Sequence, residues 1–330
     1  MKGLIVIFFS LIFWGCASKF IEQKKVEEIK KNQEFSQLVK IKELPNKPSQ
    51  STPPPQKVEA KRKKAKKRKK IAKMKKNKNT QTPKKVISKK KSEETVQISK
   101  PFPFRIGEKV VLSVNYFKVS AGTITFEVLP FASVNGRKAY HFVARVKSNK
   151  VFSFFYKVDD WAETYVDQDT FLPLAFNVHV NESQHAKEIK MYLDHKNLKG
   201  TYWEKKIDKK GKKESKKKVW DIKPRAQDAL SVLFYLRSQD LKVGKTIHTF
   251  IADDGKNVIF TGKVLRKEAL KTDLGTFQTL VVKPEFKVEG VFKPIGDIYF
   301  WFTDDDYKQL VRFEAKIKIG TLVGELVEKK

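Results

Sequence analysis

Cysteine occurs once in the 330 residues, at Cys16. One thiol excludes a disulfide framework and a zinc site built on cysteines. No apolar run approaches the ~20 residues a membrane-spanning helix needs; the longest, Leu4 to Trp14, covers eleven positions. HExxH, GxSxG, CxxC and glycine-rich phosphate loops are all missing, and with them the short motifs of metalloproteases, α/β-hydrolases, thiol redox sites and nucleotide binders. Acidic residues are scarce. Asp and Glu number 37 against 70 Lys and Arg, a formal net charge of +33.

That charge is unevenly spread. Residues 17–100 carry 28 basic and 8 acidic side chains, whereas residues 101–330 carry 41 and 29. Most of the excess lies in a quarter of the chain too poor in apolar residues to bury a core. The protein is therefore not a basic globular nucleic-acid binder, and no nucleic-acid partner is expected. Three parts follow: a signal peptide over 1–15, a lipidated cysteine with a disordered polybasic linker over 16–100, and a folded domain over 101–330.

The N-terminus assigns the compartment. Lys2 precedes the apolar run, and Gly15 precedes Cys16, the order of a signal peptide's charged, apolar and small-residue regions. The stretch resembles a bacterial lipoprotein signal, although Phe13 and Trp14 are bulkier than that pattern usually has. The alternative is a plain signal or anchor in which Cys16 is incidental. The resemblance implies acylation of Cys16, with each buried CH₂ contributing about 0.8 kcal/mol to membrane binding. Ala17 and Ser18 follow without an Asp, as in lipoproteins sorted to the outer membrane and facing the periplasm.

Within the linker, residues 20–44 place Phe20, Ile21, Val26, Ile29, Phe35, Leu38, Val39, Ile41 and Leu44 among charges. An amphipathic helix and an unstructured stretch fit that spacing equally well. Residues 57–91 hold 19 Lys and Arg against one Glu, densest at Lys61, Arg62, Lys63, Lys64, Lys66, Lys67, Arg68, Lys69 and Lys70. Such a block repels itself and stays extended. Outside the cytoplasm the polyanions within its reach are membrane lipid, lipopolysaccharide, peptidoglycan and acidic envelope proteins; a solvated spacer is the plainer reading. A flexible coil of this length spans about 50 Å, which would hold the domain well off the membrane.

From Phe104 onward, β-branched and aromatic residues alternate with polar ones, as in Val110, Leu112, Val114 and Tyr116 or Val311, Phe313, Ala315 and Ile317. Turn residues punctuate the runs at Ala121-Gly122, Asn135-Gly136, Lys210-Gly211 and Asp254-Gly255. This pattern predicts an all-β domain, a curved antiparallel sheet or half-barrel of about twelve strands. One helix is predicted over residues 224–241, where Ala226, Leu230, Leu233, Phe234 and Leu241 form a core-facing stripe, and a short helical turn near 148–155. Lys205 to Lys218 reads as a charged hairpin loop. Gly107-Glu108, Ala121-Gly122, the stretch Asp228 to Arg237, Gly275-Thr276-Phe277 and the closing Trp301 to Lys316 occur in an order that resembles the bacterial domain-of-unknown-function family 3108. The resemblance covers residues 104–327 and departs from the family pattern near Leu310. It implies an envelope location and a curved β domain, and no reaction.

Candidate chemistry is thin. His141, His179, His185, His195 and His248 show no ligand spacing; His179 and His185 flank a turn and are candidates to meet across a hairpin. Asp304 to Asp306, Asp159-Asp160 and Asp253-Asp254 suit turns better than a calcium loop. Phe152, Phe154, Phe155, Tyr156 and Trp161 crowd one segment, and Phe300, Trp301 and Phe302 make one strand apolar on both faces, which reads as core or as the wall of a lipophilic pocket. The expectation is a non-enzymatic envelope lipoprotein with no cofactor and no metal. The alternatives are a structural or assembly protein docking another envelope protein, and a hydrolase using the Asp159 or Asp304 carboxylates.

Overall fold

The computed structural model describes residues 23–45, 102–288, 297–317 and 320–330. Before the main domain come α1 (Gln23–Lys30), α2 (Gln33–Leu38) and β1 (Ile41–Glu43). Eight strands follow: β2 (Lys109–Tyr116), β3 (Val119–Val134), β4 (Arg137–Ser148), β5 (Asp159–Asp167), β6 (Pro173–Asn181), β7 (His185–Asp194), β8 (Lys199–Asp208) and β9 (Lys213–Asp221). A short helix, α3 (Lys150–Phe155), lies between β4 and β5. After α4 (Ser231–Ser238) come β10 (Thr246–Asp253), β11 (Lys256–Thr272), β12 (Gly275–Val288), β13 (Ile298–Thr303), β14 (Leu310–Lys316) and β15 (Thr321–Lys329).

All fifteen strands join one curved antiparallel sheet, the architecture the alternating pattern predicts. Two meanders, β2–β9 and β10–β15, meet where β15 pairs with β2, with Glu325 opposite Ser113 and Lys329 opposite Val110. The count exceeds twelve partly because the lysine-rich stretch expected as a hairpin loop is ladder over most of its length. Lys206 opposes Glu214 and Lys205 opposes Ser215. Its outermost member, β9, is a sheet edge, where lysines deter pairing with another chain. Ala121-Gly122 is likewise not the hairpin turn expected. The turn is Phe117-Lys118, and Gly122 sits inside β3, where a Cβ would lie 2.1 Å from the carbonyl oxygen of Lys147.

The sheet's two edges are β9 and β10. Between them the chain leaves the sheet and carries α4 onto the concave face, where Phe234 and Leu236 join the main core. The helix is shorter than the stripe suggests. Arg225 has a positive φ of 59°, and Gln227 instead bonds the edge strand, its N–H donating to Phe250 O at 2.7 Å and its carbonyl accepting from Ala252 N at 2.8 Å.

The expected linker is corrected over its first part. Residues 27–44 run along the convex face, and the reason is local hydrophobicity. Phe35 and Val39 are buried with Ala132, Val134, Tyr165, Leu174 and Trp203, and Ile29 with Ala186 and Ile207. Glu34 accepts from Trp203 Nε1 at 2.9 Å and from Lys217 Nζ at 2.5 Å. β1 then pairs with β3, Ile41 opposite Val134, and Asn135 clamps the approach by accepting from Lys40 N and donating to Leu38 O. Replacing Phe35 by Ala should cost about 3–5 kcal/mol at this contact. The expected result is selective release of the strap: hydrogen exchange speeds up at Ile41–Glu43 while β6 and β7 stay protected. Uniform protection in the variant would show that the strap is held by something other than Phe35.

Candidate functional site

The strand register defines two ends of the curved sheet. At one end lie the β2–β3 turn, α3, the start of β5, the β6–β7 turn and the β10–β11 turn, because Lys147 opposes Asp159 and Asn181 opposes Ala186. At the other lie the β3–β4 turn, the start of β2 and the β13–β14 turn.

The second end is plugged by α4. Phe234 stacks on Phe142 with centroids 3.9 Å apart, and Phe104 packs on both at 5.7 and 5.1 Å. Arg237 makes a two-pronged bond to Glu108, at 2.7 and 3.0 Å, and donates to the carbonyl of Tyr307 at 3.0 Å. Both side chains are buried, so removing either strands a charge at a cost of about 3–5 kcal/mol. The space left beside them is about 10 Å³, lined by Glu108, Phe126, Phe234 and Leu310 among others, far too small for an acyl chain. Asp228 anchors the plug's entry. Fully buried, it accepts from the N–H groups of Leu230 and Ser231 at 2.8 and 2.7 Å and from the Thr164 hydroxyl.

The first end holds a cluster of ionisable groups that residue spacing alone did not reveal. Tyr156 donates to Glu182 at 2.6 Å, and Asp160 accepts from Asn181 N at 2.8 Å. Burial, then the Glu182 charge, pushes Asp160 well above its ordinary value. His185 Nδ1 lies 3.7 Å from Glu182 and is pushed down to about 4 by burial. Lys187, lowered by burial, sits 3.9 Å from Glu204, which accepts from Tyr202 at 2.7 Å. Lys218 lies 3.1 Å from Asp254, which also pairs with Lys216. Burial raises Asp254, and the two lysines hold it below its ordinary value. These contacts bridge β9 to the β10–β11 turn. Asn257 reinforces the seam, donating to Asp221 O at 2.9 Å. The signal for the cluster was present in period two: Lys187 shares a face with Ile189, Met191 and Leu193, and Glu204 with Tyr202.

Other expectations resolve individually. His179 and His185 do not meet, since His179 opposes and bonds Glu188. No metal-binding group of three or more ligands exists among the described residues. Asp305 serves the β13–β14 turn, accepting from Thr303 Oγ1 and from Tyr307 and Lys308 N–H. Asp159-Asp160 and Asp304 lie at opposite ends and cannot form one acid–base pair. Phe300, Trp301 and Phe302 all belong to the core, and Trp301 also turns its Nε1 to Glu268 and stacks near Arg312. Tyr299 and Trp301 line an open, largely polar pocket with Glu268 and Arg312. Cys16 and the block from Lys61 to Lys70 lie outside the described residues.

Residues 111–327 match the family model described as a protein of unknown function (DUF3108), and the chain belongs to that family. Solved structures of low identity are also similar. One is a β-barrel-like protein of the DUF1849 family from Brucella abortus: 14% identical, covering 68% of this chain and 97% of that one, TM-score 0.43. A second is a candidate lipoprotein from Parabacteroides distasonis ATCC 8503: 14% identical, covering 70% and 99%, TM-score 0.32. A third is a candidate exported protein with a YmcC-like fold from Bacteroides fragilis NCTC 9343: 12% identical, covering 69% and 98%, TM-score 0.32. No curated protein matches the sequence significantly.

Burial pushes Asp228 up to about 6, against the lowering effect of its hydrogen bonds. An acid whose folded pKa is raised binds its proton more tightly when folded, so its stabilisation falls as pH rises from the unfolded value near 4 to about 6. His185, lowered to about 4, acts in the opposite sense over the same window. Asp228→Asn keeps an acceptor for the two N–H groups and removes the first effect. The variant should therefore gain up to roughly 3 kcal/mol on the parent between pH 4 and 6, and nothing further above. Urea midpoints across pH check this, and a pH-independent difference between the two proteins would refute it.

Proposed function

We propose that this protein is a lipid-anchored component of the bacterial cell envelope, held by acylated Cys16 on the periplasmic face of the outer membrane. The proposal adds that its polybasic stretch binds an anionic envelope polymer. The anchor reading comes from the signal-like N-terminus. The observation that carries the arrangement is the strap. Because residues 27–44 are packed on the barrel, the leash is the stretch from Cys16 to Gln23, at most about 25 Å long, and the domain sits beside its membrane rather than far from it.

The strap also changes the part played by residues 57–91. Their flanks are fixed on one barrel. Leu44 donates its N–H to Phe131 O at 3.1 Å, and Phe102 lies 5.7 Å from Tyr140, whose ring is 5.0 Å from Phe131. Leu44 and Phe102 both lie at the end of the sheet away from Ile29. Peptidoglycan carboxylates fit the polycation between them. Each Lys or Arg near an anionic surface contributes roughly 1 kcal/mol before screening, so a dozen give useful binding even when heavily discounted.

Two measurements test the reading. Cys16→Ala should abolish fatty-acid labelling and release the protein from membranes; unchanged labelling refutes the anchor. Purified sacculi should retain the full chain in a salt-sensitive manner and lose most of it when residues 57–91 are deleted. Equal retention of both forms refutes the polyanion role, and transfer of that dependence to anionic vesicles alone would point to lipid instead.

A further inference from the structure

We propose that the barrel end bearing the β2–β3 turn and α3 inserts its apolar side chains into the interfacial layer of an anionic bilayer, the membrane that Cys16 is proposed to be anchored in; the inference rests on that anchoring. Five large apolar residues stand out from this end. Phe117 is 64% exposed, Val119 65%, Val151 71%, Phe154 70% and Phe155 58%. Apolar patches of this kind on a soluble surface mark an interaction site. The two elements form one platform, since Asn149, the residue that caps α3, donates its backbone N–H to Ala121 O at 2.9 Å and its side-chain amide to Ser120 O at 2.5 Å.

Three observations choose the occupant. The first is charge. Lys118, Lys147 and Lys150 are exposed in the same two segments, with Lys157 beside them and Asp159 as their exposed acid. Apolar tips ringed by lysines suit an interface in which ammonium groups reach lipid phosphates while rings sink to the acyl boundary. The second is position. Ile29, near the C-terminal end of α1, packs on Ala186 and Ile207, which the register places at this same end. Cys16 is seven residues before Gln23, a reach of at most about 25 Å, so an acylated Cys16 and the tip are able to meet one membrane.

The third is the backbone. Phe117 and Lys118 both have positive φ, 48° and 63°, the geometry of a two-residue turn that favours Asn-Gly. The corresponding turns at Asn135-Gly136 and Asp254-Gly255 use residues suited to it. The Phe117 ring rests against Tyr116, with centroids 4.5 Å apart, and beside Gly320, yet the residue stays 64% exposed, which leaves apolar surface for a contact outside the barrel.

Depth-resolved fluorescence on the full mature chain tests the proposal. In the acylated protein the Cys16 sulfur is held as a thioether, so a cysteine at Val151→Cys is the only free thiol and takes an environment-sensitive label. Vesicles of phosphatidylglycerol and phosphatidylethanolamine should shift the emission to the blue, and brominated acyl chains should quench it. Phe117→Asn with Phe154→Ser should weaken vesicle insertion about tenfold with an unchanged urea midpoint. A label that stays water-exposed while the acylated parent protein remains membrane-bound overturns tip insertion and leaves the anchor standing. A blue shift that appears without vesicles and grows with protein concentration overturns it in favour of a second copy on the same patch. Insertion that persists when fatty-acid labelling shows no acylation at Cys16 removes the anchor but not the lipid contact.

Discussion

A curled sheet whose ladder does not close has to hold two edges together by other means, and this constraint organises the rest of the molecule. Here the chain between β9 and β10 does the work. It lends Gln227 to the edge of β10, then turns inward so that Phe234 and Leu236 fill the concavity. Arg237 fixes the far end of the plug on Glu108. On the opposite end, Lys216, Lys218, Asp254 and Asn257 tie the seam with side chains. The closure is polar and local, in contrast to the continuous ladder of a closed barrel.

The plug also separates two roles. Beside α4 the space between Glu108, Phe126, Phe234 and Leu310 is only about 10 Å³, so the aromatic residues there pack against one another. The other half carries buried acids and lysines whose charges offset one another, with Asp160 raised by burial and by Glu182 and His185 lowered to about 4 by burial. Buried ionisable groups are costly unless paired, and here the pairing coincides with the place where the edges meet.

The convex strap changes how the N-terminal region is divided. Burial of Phe35 and Val39 and pairing of Ile41 make residues 27–44 part of the folded domain. The lysine-rich stretch is then bounded by two points on that domain, Leu44 and Phe102.

Period-two alternation was enough to read the all-β class, most strands and the Asn135-Gly136 and Asp254-Gly255 turns, because each depends on local spacing and turn chemistry; the family rested on a resemblance of separate motifs. The lysine-rich hairpin β8–β9 was read as mostly loop because its alternation is nearly all polar, and only its partner strands reveal that Tyr202 points to the core. The strap was undecided because a short helix gains its stability from what it packs against, and Trp203 and Tyr165 are far away in sequence. The helix ended short because Gln227 found a strand edge to bond. The ionisable cluster joins residues from β5 to β11; period two puts Lys187 and Glu204 on the core face, but which groups meet is set by register. The signal-like pattern of residues 1–16 is legible because such a segment is read linearly; that residues 27–44 belong to the folded domain was decided by the long-range burial of Phe35 and Ile29.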